Sequence, residues 1–284
     1  SLTATEEFNT GVAVGAWSTG GDLNTARKSM GGAGIQTAAL GFGGNPGTKN
    51  ETETYNGTAW TEVNNLTTAR GKLGGAGTQT AALAFGGNSP AKNETETWNG
   101  TNWTEVNNLG TARYGLAGAG TQTAALAFGA YTPPPTVAFT ELWNGTNWTE
   151  VNDMNTGRGY LGGVGATNTA VLGFGGYTRS PAAIVDITEL WNGTNWTEVG
   201  DMNAAKRALA GAGISTAALG FGGTTSTANV GQTETWNGTS WSEVNDLNIA
   251  RLSLAGTGTN TAALAFGGSP TQTAATEEWS IPGT

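Results

Sequence analysis

The sequence predicts an all-β fold, a six-bladed β-propeller whose blades are four-stranded antiparallel sheets. Three observations lead to this prediction. One pattern returns six times along the 284 residues, each copy contains four short strand-like segments, and Asn-Gly stands between the third and fourth segments of most copies. A period above 40 residues with four strands per unit is typical of a propeller blade.

Three recurring positions define the copies. A Trp recurs in steps of 43, 43, 45, 48 and 45 residues, and a basic residue follows each Trp at a constant distance. The Trp positions are Trp17, Trp60, Trp103, Trp148, Trp196 and Trp241, and the basic positions are Arg27, Arg70, Arg113, Arg158, Lys206 and Arg251. A Phe recurs at Phe42, Phe85, Phe128, Phe174, Phe221 and Phe266. This regularity indicates one structural unit per copy.

Each copy contains four segments, here named a to d. Segment a (116–120 in one copy) consists of small residues, and segment b (81–87) is apolar and ends in Gly-Gly. Segment c (94–98) ends on an aromatic residue, and segment d (103–106) begins with Trp. Small residues suit strands that converge on a propeller axis, whereas bulky ones suit the diverging outer strands. Asn-Gly between c and d predicts a type I′ hairpin turn.

The strand count predicts how the ring closes. There are seven c aromatics but only six segments of each other type: Phe8, Tyr55, Trp98, Trp143, Trp191, Trp236 and Trp279. We expect the d segment around Trp17 to pair with the a, b and c segments of residues 251–279. Residues 1–12 of the single domain 1–284 are then a surplus arm. The arm either docks on a neighbouring chain or subunit, or forms a frayed terminus or a second-layer strand of its own blade.

The composition excludes several kinds of chemistry. The chain has no Cys and no His, so disulfides, thiolate nucleophiles, imidazole bases and His or Cys metal ligands are excluded. A net charge of −9 argues against binding of a nucleic-acid backbone. No apolar run approaches the roughly 20 residues of a membrane span. We therefore expect no cofactor, no metal, no nucleic-acid partner and no membrane.

The repeated charged residues are predicted to be structural. A Glu stands two residues before each c aromatic, as Glu96 does before Trp98. A catalytic carboxylate pair needs two unequal environments, which a residue repeated in every blade does not supply. We therefore expect no enzyme, and we expect these Glu and basic side chains to pair between strands or to fix the loop before segment a. The alternative is a ring of basic groups at one channel mouth that binds an anion.

The residues outside the repeat are the candidate ligand-binding residues. Because chain direction alternates from strand to strand, the b–c loops and the loops before segment a emerge on the same face. The two longest b–c loops, 131–139 and 177–187, lie there, and loops on a rigid scaffold often carry function. Tyr with polar neighbours suits a sugar or a protein surface; the alternative is structural decoration of the loops. The candidates are Tyr114, Tyr131, Tyr160, Tyr177, Arg179 and Asp186.

Eleven Asn residues stand in N-x-S/T sequons and are candidate glycosylation sites. They are Asn50, Asn56, Asn65, Asn93, Asn99, Asn102, Asn144, Asn147, Asn192, Asn195 and Asn237. Five of them belong to the Asn-Gly hairpins, where turn geometry already explains the Asn. Both interpretations, turn chemistry and glycosylation, stay open at this point.

The spacing of the aromatic residues resembles the kelch repeat. In that pattern an apolar strand ending in Gly-Gly precedes two aromatics, as Phe42-Gly43-Gly44 precedes Tyr55 and Trp60 here. The third copy departs from it with Gly129-Ala130. The repeated sequence, TAR followed by GAGTQTAALAFG, is also similar to kelch-like proteins of tailed bacteriophages. The first resemblance implies a propeller, and the second implies a structural protein of a virion.

Together these features predict a non-enzymatic structural or binding protein on a phage virion surface or outside cells. As a tail-fibre, tail-associated or capsid-decorating protein it would present loops to a host glycan or receptor, or bind other virion subunits. The alternative is a secreted or cell-surface glycosylated propeller of a cellular organism, which could form filaments. An enzyme is the third hypothesis.

Overall fold

The computed structural model describes residues 14–88, 90–132 and 135–282, and it confirms the six-bladed propeller. Six four-stranded antiparallel sheets form the ring, and the described residues contain no helix that could cross a membrane. The predicted arm, residues 1–12, lies outside the described residues.

The strands are numbered in chain order, and the first is β1 (Ala16–Thr19). Blade 1 contains β2 (Gly31–Ile35), β3 (Ala38–Gly44), β4 (Lys49–Tyr55) and β5 (Trp60–Val63). Blade 2 contains β6 (Gly74–Gly77), β7 (Ala82–Gly87), β8 (Lys92–Trp98) and β9 (Trp103–Val106). Blade 3 contains β10 (Ala117–Thr121), β11 (Ala124–Tyr131), β12 (Thr136–Trp143) and β13 (Trp148–Val151).

Blade 4 contains β14 (Gly162–Thr167) and β15 (Ala170–Phe174), then a small hairpin of β16 (Tyr177–Arg179) and β17 (Ala182–Ile184), then β18 (Thr188–Trp191) and β19 (Trp196–Glu198). Blade 5 contains β20 (Ala210–Ile214), β21 (Ala217–Phe221), β22 (Thr233–Trp236) and β23 (Trp241–Val244). Blade 6 contains β24 (Ala255–Gly258), β25 (Ala262–Phe266), β26 (Thr276–Ser280) and, from the start of the chain, β1.

The innermost strands consist of small residues because neighbouring blades approach closely at the axis. A Cβ atom at Gly75 would lie 2.8 Å from the ring of Phe42 and 2.8 Å from the carbonyl oxygen of Gly32, both in the preceding blade. Phe42 itself is fully buried in the inter-blade core. The Gly in segment a therefore makes room for the Phe of the neighbouring segment b.

The outer part of each inter-blade core is built on the repeated Trp. The ring of Trp103 in β9 packs 5.0 Å from that of Phe42, and its Nε1–H donates to Oγ1 of Thr52 at 3.0 Å. All six junctions form the equivalent Trp-to-Thr hydrogen bond at 3.0 Å. The core of the protein is thus six similar inter-blade layers.

The ring closes as predicted, by pairing of the two ends of the chain. β1 pairs antiparallel with β26 over four residues, with Trp17 opposite Trp279. The Asp22 carboxylate then accepts the backbone N–H of Thr276 at 3.3 Å. These contacts give blade 6 the same d strand as the other blades.

Tyr55 adds a hydrogen bond across the junction of blades 1 and 6. It stands where the other five blades carry Trp, and its hydroxyl donates to Oε1 of Glu278 at 2.5 Å. Burial, together with this hydrogen bond, raises the pKa of Tyr55 to about 12. Because the folded state holds the Tyr55 proton more tightly than the unfolded state does, the interaction stabilises the fold fully below the unfolded-state pKa of about 10. The stabilisation is lost as the pH rises through about 12.

We expect Tyr55→Phe to lower the free energy of unfolding by about 1 kcal/mol near neutral pH, the contribution of one hydrogen bond. The difference between wild type and variant should shrink from about pH 10 to about pH 12. Urea unfolding of both proteins across this pH range measures the difference in their free energies of unfolding. The contributions of the other titrating groups cancel in this difference because both proteins share those groups. A difference that stays constant across the range would contradict the assigned bond.

Candidate functional site

The six repeated basic residues form buried ion pairs within their own blades. Each is fully buried and lies 2.5 to 3.1 Å from the Glu two residues before a c aromatic, as Arg70 does from Glu96. Burial lowers the pKa of Arg70, and the attraction of Glu96 opposes that effect. These cations are inaccessible from the channel mouth, so the alternative of an anion-binding ring at this position is wrong.

A closed ring of backbone hydrogen bonds surrounds the axis two residues after the basic positions. The N–H of each member donates to the carbonyl of the equivalent residue in a neighbouring blade at 2.7 or 2.8 Å. All six members have left-handed backbone, with φ between 54° and 63°. They are Ser29, Lys72, Gly115, Tyr160, Ala208 and Ser253. This axial ring gives the mouth a rigid rim whose side chains differ from blade to blade.

Lys72 and Tyr160 of the axial ring meet across the intervening Gly115. The Lys72 Nζ lies 5.1 Å from the ring centroid of Tyr114 and 5.4 Å from that of Tyr160, and it donates to the Tyr160 hydroxyl at 3.4 Å. A Cβ atom at Gly115 would be 3.0 Å from the Tyr160 ring, so the Gly leaves space for that ring. Burial lowers the pKa of Lys72 and raises the pKa of Tyr160.

The b–c loops of blades 3 and 4 extend this cluster outward. Tyr131 packs 5.2 Å from Tyr114 and accepts a hydrogen bond from the exposed Arg179 guanidinium. The guanidinium of Arg207 lies 4.9 Å from the ring centroid of Tyr177. Arg and Lys over aromatic faces are held by cation–π attraction, which fixes their direction without neutralising their charge.

Four cations of this face have no acidic partner in the part of the chain that the structure describes. Eight of the twelve basic residues form ion pairs with Glu. The other four form no ion pair with any carboxylate of the described residues: Lys28, Lys72, Arg179 and Arg207. A cavity of about 280 Å³ lies among three of these cations, Tyr160 and the axial ring. We name this space the mouth cavity.

Asp186 is the predicted candidate whose side chain makes no contact with this cluster among the described residues. It precedes β18, and its backbone carbonyl accepts the N–H of Met202. Across residues 14–88, 90–132 and 135–282, its carboxylate forms no ion pair with Arg179 or Arg207. The other five candidates, Tyr114, Tyr131, Tyr160, Tyr177 and Arg179, lie on one face around the mouth, as the strand directions predicted.

Lys28, Lys72 and Arg207 were not among the residues predicted from the sequence. The signal that could have revealed them is the variability of two positions in an otherwise constant repeat. The position after the repeated basic residue carries Lys28, Gly71, Tyr114, Gly159, Arg207 and Leu252, and the next position is the axial ring. Positions that vary while their neighbours repeat are those that the shared fold does not fix.

The Asn-Gly hairpins have a different geometry from the one predicted. Only the Gly has positive φ, for example +89° at Gly57, whereas a type I′ turn needs it at both central residues. Instead, each loop has four residues, and the Asn side-chain oxygen accepts two backbone N–H groups at 2.8 to 3.0 Å. Turn chemistry therefore accounts for Asn56, Asn99, Asn144, Asn192 and Asn237.

Other sequon Asn side chains also have structural contacts. The side-chain oxygens of Asn102, Asn147 and Asn195 accept hydrogen bonds from Asn residues that follow the preceding d strand. Asn65 accepts the N–H of Thr52, and Asn50 and Asn93 donate to the carbonyls of Leu66 and Leu109. The sequon pattern thus coincides with the links that hold hairpins and blades in place.

At the opposite end of the axis, the channel opens into a cavity of about 350 Å³ lined mainly by Gly and Ala of the inner strands. The exposed side chains of Ile35 and Ile214 stand at its rim, where three other blades carry Thr. This end has neither the aromatic nor the cationic side chains of the mouth cavity among its lining residues.

In the part of the chain that the structure describes, no group of three or more acidic residues is placed to hold a metal ion. The fold and the site together define a six-bladed propeller with one asymmetric, aromatic and cationic face. Comparison with models of known protein families and with curated proteins finds no match for the chain.

Proposed function

We propose that the chain is a non-enzymatic binding propeller of a phage virion surface, which presents its b–c loop face to a host glycan or receptor. The observation that carries this proposal is the distribution of side chains that depart from the repeat. Four of the five Tyr lie on that one face, as do all four cations that have no acidic partner among the described residues. The repeated Glu and basic residues, by contrast, form buried ion pairs within the blades.

The chemistry of the face suits recognition. Tyr rings offer large contact areas at a low cost in conformational entropy, and their hydroxyls form hydrogen bonds. Tyr160 belongs to the axial ring of six hydrogen bonds, and Tyr114 stands next to its member Gly115, so these two side chains need little ordering when a ligand binds. The placement of this face on a virion rests on the similarity of the repeated sequence to kelch-like proteins of tailed bacteriophages.

The binding face is tested with the labelled full chain on an array of bacterial and animal glycans. The variant Tyr131→Asn/Tyr177→Thr removes two rings and introduces the residues that other blades carry there, Asn45 and Thr224. We expect the variant to fold normally and to lose at least about tenfold in array signal, because aromatic contacts commonly dominate binding.

The matched control is Ile35→Thr/Ile214→Thr at the opposite mouth, again with residues that other blades carry. It should bind glycans like the wild type. An unchanged signal for the Tyr variant, or an equal loss in both variants, would contradict assignment of binding to the b–c loop face.

The mass of the chain isolated from its native source separates the virion proposal from the secreted alternative. The sequence corresponds to 28.7 kDa. We expect the native chain to carry no hexose-sized increments, because a virion protein made in bacteria need not be glycosylated at these sequons. A ladder of such increments would instead favour the glycosylated cell-surface propeller.

A further inference from the structure

The mouth cavity carries positive charge that no carboxylate of the described residues pairs with. Lys28, Lys72 and Arg207 line it, and its lining includes no carboxylate. The chain as a whole has a net charge of −9, so an uncompensated group of three cations is a local exception. Cations collected at one concave site focus the electrostatic potential there and raise the local concentration of anions.

The position of Lys72 strengthens this point. Its ammonium is half-buried between the rings of Tyr114 and Tyr160, and one neutral hydroxyl is its single hydrogen-bond acceptor among the described residues. Partial burial of an ammonium without a counter-charge costs free energy. A negatively charged ligand group beside Lys72 would recover that cost and satisfy its remaining donors.

The remaining lining indicates the size and the character of the ligand. At about 280 Å³ the space is at the lower end of small-molecule sites, which is more than a bare inorganic anion needs. Tyr160 offers an aromatic face, and Ser29 and Ser253 of the axial ring offer hydroxyls. The guanidinium of Arg207 can bind a planar or tetrahedral anionic group with two parallel hydrogen bonds.

We infer that the mouth cavity binds an acidic sugar, a single saccharide unit bearing a carboxylate or sulfate, with Lys72 and Arg207 holding the anionic group and Tyr160 packing on the sugar ring. This inference rests on the proposed function, because it names the ligand class of the same face. No bond is made or broken, and the site acts by binding alone.

The test is titration calorimetry on the full chain with galacturonic acid, glucuronic acid, N-acetylneuraminic acid and galactose 6-sulfate, each compared with galactose and glucose. At least one acidic sugar should bind about tenfold or more tightly than the neutral sugars, since a hydrogen bond to a charged group has roughly that effect. Inorganic sulfate at equal concentration should compete only weakly.

Two variants place the effect in the mouth cavity. Lys72→Ser and Arg207→Leu introduce residues that stand at the equivalent positions of other blades, Ser29 and Leu252. Ser29 and Ser253 already adopt the left-handed backbone required, so Lys72→Ser should fold. Each variant should weaken binding of the acidic sugar by about tenfold or more. The control Lys92→Val removes a cation that is paired with Glu94, and it should leave the affinity for the acidic sugar unchanged.

The other outcomes overturn the inference in distinguishable ways. Equal binding of acidic and neutral sugars would refute the anionic subsite and leave glycan binding by the face intact. Sulfate binding as tight as that of the acidic sugars would show a simple anion site. An absence of binding by every sugar, with glycans still bound on the array through Tyr131 and Tyr177, would refute only the mouth cavity. An empty array as well would remove both proposals.

Discussion

Arg70→Met should lower the free energy of unfolding by about 3–5 kcal/mol, because it leaves the Glu96 carboxylate buried without its counter-charge. Both side chains are fully buried, and their charged atoms are 3.1 Å apart. Arg70 also donates to the carbonyls of Glu94 and Ala84, which ties the loop before β6 to the strands of blade 2. A loss of this size is a large share of the 5–15 kcal/mol that stabilises most domains.

The chain supplies its own control for this prediction. Blade 5 carries Lys206 where the other blades carry Arg, and its ammonium lies 3.0 Å from Glu234. Arg70→Lys should therefore keep the ion pair and cost only about 1–2 kcal/mol, the value of the lost hydrogen bonds to carbonyls. Urea unfolding followed by Trp fluorescence measures both variants.

A second substitution distinguishes the free-energy cost of the unpaired buried charge from the cost of the lost packing. In Arg70→Met/Glu96→Gln the site is neutral, and the Gln oxygen can still accept the N–H of Thr67, which Glu96 binds at 2.7 Å. The double variant should be more stable than Arg70→Met, although it carries one substitution more. A double variant that is less stable than Arg70→Met would show that packing, not charge, sets the cost.

The architecture was predictable because the same pattern of residues occurs six times in the sequence. Period, strand number, small inner residues and the pairing of β1 with β26 all follow from short-range patterns that each copy repeats. Individual boundaries were less accurate. Segment c was predicted to begin at residue 94, whereas β8 begins at Lys92, because the b–c loop of that blade continues the pairing with Gly87 opposite Lys92.

The mouth was harder to predict because its geometry depends on contacts between blades. Lys72, Tyr160 and Ala208 adopt left-handed backbone without being Gly, and only the closed axial ring explains that conformation. Lys72 and Tyr160 belong to blades 2 and 4, 88 residues apart, and the ring brings them together. The role of Asp186 stays a prediction, since among the described residues its carboxylate pairs with none of these cations.

The hairpins show why a correct turn position does not guarantee the turn type. Asn-Gly favours a two-residue turn when strands continue on both sides. Here each c strand ends on an aromatic residue that pairs with the Trp at the start of the d strand. Tyr55, for example, pairs with Trp60, and the four residues 56–59 lie between them. That packed pair fixes a four-residue loop, and the Asn side chain adapts to it by accepting two backbone N–H groups.

Trp17→Ala should lower the free energy of unfolding by about 3–5 kcal/mol, the usual range for removal of a buried aromatic. The Trp17 ring packs 4.9 Å from Phe221 and 5.5 Å from Trp279, and its Nε1–H donates to Thr233. The variant loses these contacts and leaves the Thr233 hydroxyl without this partner. Trp17→Phe keeps a ring without the N–H and should cost less than Trp17→Ala.

Trp103→Ala is the matched variant in an internal blade, since Trp103 makes the same three contacts with Phe42, Trp98 and Thr52. The overall losses should agree within about 1 kcal/mol, because the buried surroundings are equivalent. The two variants should differ in local opening. β9 follows β8 directly in sequence through a four-residue hairpin. β1 is instead joined to β26 by non-covalent contacts, among them their four paired residues and the hydrogen bond of Asp22 to Thr276.

Hydrogen exchange of the β26 amides should therefore accelerate strongly in Trp17→Ala, while the β8 amides in Trp103→Ala should exchange only as fast as the lower global stability requires. Loss of β1 would leave β26 as an unpaired edge strand, so Trp17→Ala should also aggregate more readily than Trp103→Ala. If the two strands showed equal protection, closure by the ends of the chain would be as strong as a covalently continuous blade. In that case β1 would not be the point at which the ring opens.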